Sequence, residues 1–192
     1  MKNLFNLSIV ALALTLNACG GSKGEGEGNG TDSTNVAAGA EVNLEGMKEH
    51  DLSGAGLNAT IMVADETGPS GAPFPVKDST IIDGISWQVN VGEKFSIVLE
   101  EADGTGKYVA AEKKRLVETG IYDLKYEVDQ PNYMLYEASL KGGAGSKPFY
   151  HVFGVVKLEG KDFTIKSNPA GEFNKGQAEK MLKTIQALQK KA

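Results

Sequence analysis

His50 and His151 are the histidines of this 192-residue chain, a hundred residues apart and each without a metal-ligating partner three or four residues away. A zinc site built on histidines is therefore not expected, because such sites gather several ligands at short spacing. His151 alternates with Phe149, Phe153 and Val155, which reads as a satisfied histidine on a half-buried strand. No serine sits in a G-x-S-x-G elbow, so a hydrolase would require scattered Ser, Asp and His to converge in space. In "LEEADGTG", Glu100, Glu101 and Asp103 stand beside a glycine-rich turn. Gly104 interrupts any aspartic-protease "DTG", and turn chemistry explains the stretch more simply. Neither this segment nor "DETG" at 65–68 has the D-x-D-x-D-G order of a calcium loop, and no metal is expected. "GGAGSK" at 142–147 has the residue types of a phosphate loop in the wrong order, since Lys147 stands where the second glycine belongs. It reads as a hairpin loop. Lys113, Lys114 and Arg115 read as a solvated helix face, with lipid-headgroup contact as the alternative. These residues predict neither a cofactor nor a catalytic set.

Composition narrows the functional classes further. The formal net charge is −5, which gives no basic stripe for nucleic acid, and no nucleic-acid partner is expected. The single cysteine, Cys19, rules out an intrachain disulfide and leaves no thiol besides itself for nucleophilic chemistry. Residues 1–18 have a positive start at Lys2, an apolar run and small residues before Cys19, the layout of a secretory signal too short to span a bilayer. Residues 19–45 follow as a flexible glycine-rich tether, whose first part, "GGSKGEGEGNGTDSTNVAAGAE", carries seven glycines. About 22 such residues reach roughly 25 Å. Gly24, Gly26 and Gly28 do not continue into a Rossmann spacing. Residues 46–192 form a single domain large enough to bury a core without staples.

Within that domain, "LNATIMVA" alternates Leu57, Ala59, Ile61 and Val63 against Asn58, Thr60 and Met62, predicting a one-sided strand. "DETGPSGAPFPVKD" packs Pro69, Pro73 and Pro75 into what reads as a long surface loop. "ISWQVNV" places Ile85, Trp87, Val89 and Val91 inward, Gly92 suits a turn, and "FSIVLEEA" continues as a second strand. Val109, Ala110, Leu116 and Val117 then recur at helical spacing up to a stop at Gly120. "IYDLKYEVD" puts Tyr122, Leu124, Tyr126 and Val128 on one strand face. "QPN", "KGGAGSKP" and "GK" separate this from three more strands, together a four-stranded meander. Ala178, Met181, Leu182, Ile185 and Leu188 make one apolar stripe on a docked terminal helix, with Asn174 and Gln177 as a variant capping box. The expected fold class is α+β, an antiparallel meander flanked by helices.

Two resemblances add to these readings. "LNAC", with Leu16, Ala18 and Cys19, resembles the lipobox of bacterial lipoproteins, departing from it at Asn17. That resemblance implies lipidation of the Cys19 thiol, cleavage before it, and membrane attachment through acyl chains in the cell envelope. Gly20 lacks the aspartate that retains enterobacterial lipoproteins at the inner membrane, so the outer membrane is implied.

Across residues 81–192, the order strand, strand, helix, four strands and helix is similar to the PsbP-like fold, an α/β/α sandwich. The resemblance lies in "AAEKKRLVE" before "YDLKYEVD", in "YMLYEAS", in "YHVFGVVKLEGKDFTIKS" and in "AEKMLKTIQAL". It implies a binding or accessory module like those of the photosystem extrinsic protein and bacterial envelope lipoproteins. No family functional residue carries over to a position here.

The expected function is thus a non-enzymatic, lipid-anchored module that binds another envelope protein. Its candidate contacts are Pro69, Pro73 and Pro75, or the aromatic strand with Tyr133 and Tyr136. The alternative is a carrier or sensor for a small apolar or amphipathic ligand, suggested by Trp87 and the inward tyrosines and phenylalanines.

Overall fold

A computed structural model describes residues 41–82, 84–104, 106–143 and 147–191; Cys19, the signal-like segment and the glycine-rich part of the tether lie outside the described residues. Two strands, β1 (Met47–Asp51) and β2 (Thr60–Ala64), pair antiparallel as a separate hairpin. The remaining strands are β3 (Val76–Ile82), β4 (Ser86–Val91), β5 (Phe95–Glu101), β6 (Tyr122–Asp129), β7 (Tyr133–Leu140), β8 (Phe149–Leu158) and β9 (Lys161–Ser167). They form one antiparallel sheet in the order β3-β4-β5-β9-β8-β7-β6. Helix α1 (Tyr108–Thr119) connects β5 to β6, and α2 (Lys175–Lys191) ends the described chain. The fold is therefore α+β, an antiparallel sheet flanked by helices.

The period of two along each strand assigns the faces. On β7, Leu135 joins the main core with α2, whereas Met134, Tyr136 and Ala138 join a smaller cluster with Val109 and Leu116 of α1. On β8, Val152 and Val156 face α2, and Phe153 faces α1. The two helices thus cover opposite faces of the sheet. Ala178, Met181, Leu182, Ile185 and Leu188 are all buried, as the stripe predicts, and each large side chain contributes about 1.5–3 kcal/mol by leaving water. The capping box also forms: Gln177 N–H donates to Asn174 Oδ1 at 3.0 Å, and Asn174 N–H donates to Gln177 Oε1 at 2.8 Å. Thr184 Oγ1 donates to Met62 O at 2.7 Å and ties α2 to β2.

Several local expectations are corrected. Strand β2 is not one-sided, because Met62 and Ala64 are buried along with Ile61 and Val63. The proline-rich loop ends at Pro75, and Val76 to Asp78 already pair with β4, a position open to them because the prolines that lack a donor stop just before. β1 and β3 carry too few apolar residues to announce themselves as strands. Ile85 is 51% exposed, since it lies in the turn before β4 with its N–H on Ile82 O. In α1, Val117 is 65% exposed and only Val109 and Leu116 are buried, two helical turns apart.

Strand β6 contains the most informative correction. Tyr126 stands opposite Tyr136, but Val128 stands opposite Leu135, so a bulge at Glu127 inserts one residue. Tyr122, Leu124 and Tyr126 remain on the α1 face, while Val128 moves to the core beneath α2. The turn between β8 and β9 is centred on Glu159 and Gly160, both at positive φ (50° and 81°), one residue earlier than "GK" suggests.

Candidate functional site

A cavity of about 340 Å³ lies between the C-terminal half of α1 and the sheet. Alternation on three adjacent strands builds its floor: Tyr122 and Leu124 from β6, Tyr136 and Ala138 from β7, Phe149, His151 and Phe153 from β8. Leu116 and Thr119 of α1 form the roof, with Glu112 and Arg115 beside them, and Lys166, Ser167 and Pro169 close the β9 side. Its volume falls at the small end of the roughly 300–1,000 Å³ typical of ligand pockets.

Aromatic rings stiffen the floor. Tyr136 and His151 are register partners with ring centroids 5.8 Å apart, and Phe149 meets His151 edge-on at 5.3 Å. Tyr122 in turn meets Phe149 edge-on at 5.4 Å, and Phe173 meets His151 edge-on at 5.9 Å. Edge-to-face contacts of this kind hold rings in fixed orientations.

His151 is 7% exposed, and its Nδ1 lies 2.7 Å from Ser167 Oγ. Ser167 Oγ also accepts from Val152 N–H at 3.2 Å. Because Ser167 Oγ already accepts from Val152 N–H, we assign its own proton to the bond with Nδ1. This assignment leaves the imidazole proton on Nε2, which no described residue accepts. Burial pushes the imidazole down to about 4, so the ring is neutral at physiological pH. Tyr136 is also 7% exposed and lines the cavity, but its hydroxyl is not among the sealed, unpartnered side-chain atoms of the described residues, which are those of Tyr108 and Tyr126. Burial first, then the nearby Glu112 carboxylate, raises its pKa, so it remains a hydroxyl donor.

The charges around the cavity are paired. Arg115 donates Nε and Nη2 to Glu112 Oε2 and Oε1 at 2.7 and 2.6 Å, a bidentate fork. Lys166 Nζ donates to Glu100 Oε2 at 2.7 Å. On the same helix, Lys113 binds Asp129 and lies 4.9 Å from the Tyr126 ring, and Lys114 lies 3.7 Å from Glu118. Lys114 and Arg115 are solvent-exposed, as expected of a solvated face, and each of the three cations also has a carboxylate partner.

The residues singled out in the sequence are not brought together. Tyr136 lies in the cavity, but Tyr133 is on the opposite face, packed against the main core. Trp87 is 3% exposed, donates Nε1–H to Ala55 O at 2.9 Å and packs 6.0 Å from Phe163, a core role. Pro69, Pro73 and Pro75 are exposed on their loop, while Phe74 between them packs beside Gly92, whose φ of +55° suits the turn. Cys19 lies outside the described residues. The wall residues Phe149 and Ser167 and the Arg115–Glu112 fork were not anticipated. The aromatic alternation of β6 and β8 was the available signal, but strand register is what gathers these side chains.

Among the described residues, no group of three or more His, Cys, Asp or Glu is placed to hold a metal ion. No helix among them is long and apolar enough to cross a membrane. No family model matches the chain, and neither a curated protein nor a solved structure matches it.

Proposed function

We propose that this protein is a lipid-anchored, non-enzymatic binding module of the cell envelope that carries or senses a small amphipathic ligand under α1. The observation that carries this reading is the cavity itself, with a rigid aromatic floor and two buried polar side chains, Tyr136 and His151, that have unused hydrogen-bonding atoms. The anchor rests on the LNAC motif and Cys19, and the glycine-rich tether would let the domain stand off the outer membrane. The finer fold assignment, PsbP-like, draws on the helix-sheet-helix layering and the order of elements from residue 81 onward.

A protein partner is the second reading, favoured by Ile81, Ile82 and Ile85, which are 53%, 55% and 51% exposed at one end of the β3–β4 hairpin on the sheet edge. Native mass spectrometry of the full chain, released gently from membranes, tests the first reading. A bound mass of a few hundred daltons supports it. An apo spectrum from several hosts, with a partner crosslinked through the isoleucine edge, supports the second. Loss of metabolic acyl labelling in Cys19→Ser tests the anchor.

A further inference from the structure

We infer that the cavity under α1 selects a neutral, flat molecule bearing a hydrogen-bond acceptor such as a carbonyl, which receives the His151 Nε2–H and the Tyr136 O–H. This inference rests on the carrier reading above and names its ligand class. Three observations combine. Tyr136 and His151 are each more than nine-tenths buried, line the same cavity and hold polar atoms with no partner among the described residues. Ser167 occupies Nδ1, so His151 offers the cavity a donor, and the protonated Tyr136 hydroxyl offers another. Neither atom is among the sealed, unpartnered ones of the described residues, which are the Tyr108 and Tyr126 hydroxyls, so both face the cavity, where a ligand acceptor takes the place of water.

The second observation concerns charge. Both cations lining the cavity are already committed, Arg115 to Glu112 and Lys166 to Glu100. An anionic ligand would lose its hydration without meeting a free cation, and a cationic one would find no free carboxylate, because Glu112 is held in the fork. Burial also keeps His151 uncharged, so the donor pair has no net positive charge to offer a carboxylate. The third observation is shape. Tyr136 and Phe149 each place a ring within 6 Å of His151, one tilted and one edge-on, so the wall offers ring faces and edges that a flat aromatic body can meet.

A matched set of probes tests this on the full chain: 2-acetylnaphthalene, 2-naphthoate and naphthalene, titrated against ¹⁵N-labelled protein while the His151 Nε2 resonance is followed. The ketone should bind about tenfold more tightly than naphthoate or naphthalene and shift the Nε2–H signal, because it alone pairs the donors without burying a charge. Tyr136→Phe should lower ketone affinity about five- to tenfold and leave naphthalene within about twofold. Naphthoate binding as tightly as the ketone would overturn the ligand class, as would ketone affinity unchanged in Tyr136→Phe. If none of the three probes moves a cavity resonance, the carrier reading itself falls, a result distinct from a wrong ligand class.

Discussion

Gly154 leaves the space that Ile185 fills: a Cβ at position 154 would lie 2.5 Å from Ile185 Cγ2 and 3.1 Å from Tyr133 Cβ. Helix α2 therefore sits on β8 at a distance that only glycine permits. Gly154→Ala should cost about 2–3 kcal/mol by overpacking. Ile185→Ala should recover more than about 1 kcal/mol of that cost in a double-mutant cycle read by urea denaturation. Additive effects would mean that the helix is free to shift, and the close approach would not be a constraint.

The cap of the same helix can be tested separately. Asn174 and Gln177 bond each other's backbone N–H reciprocally. Asn174→Ala should destabilise by about 1 kcal/mol and Asn174→Ser by much less, because serine restores the acceptor. Equal losses in the two variants would show that the side-chain oxygen is not what matters.

That helix, its stripe and its cap were legible in the sequence because all three depend on residues within one turn of each other. The β4–β5 turn at Gly92 and the meander from β6 to β9 were legible for the same reason. Edge strand β3 was not: Lys77, Asp78, Ser79 and Thr80 give a polar run whose strand character comes from pairing with β4. Val128 was misplaced because the bulge in β6 breaks a period that the residues themselves keep. Trp87 invited a ligand role by its type alone, yet its indole N–H answers a carbonyl at Ala55, 32 residues earlier. The cavity depends on non-local facts of the same kind. Its aromatic strands were visible, but the register joining Tyr136 to His151 and the resting place of α1 are properties of the folded chain.

His151 links the cavity to acid stability. Its pKa drops from 6.5 to about 4 on folding through burial, so the unfolded chain takes up the proton first as pH falls. The stabilising contribution is whole above pH 6.5 and declines as pH drops toward 4. The full linkage is about 3 kcal/mol. Stability against urea should therefore fall between pH 6.5 and 4.5, above the range where most carboxylates titrate. A His151→Phe variant should show a flatter slope over that window even if its stability at pH 7 is lower. An identical slope would place the imidazole in contact with water, contrary to its burial.

The Arg115–Glu112 fork sets the charge that the cavity presents. Arg115 is 62% exposed at its side chain and Glu112 15%, so the pair contributes little to stability, within about 1 kcal/mol. Its consequence lies in selectivity. Glu112→Gln keeps the shape and one acceptor but leaves the Arg115 charge uncompensated beside the cavity. Affinity for 2-naphthoate should then rise about five- to tenfold while that for 2-acetylnaphthalene stays within about twofold, measured by the same titration. The two probes share a ring system and differ mainly in charge at the polar end, so a rise for both would point to a wider entrance. A rise for neither would mean that Arg115 does not reach the bound ligand, and the neutrality of the site would have to come from the buried donors alone.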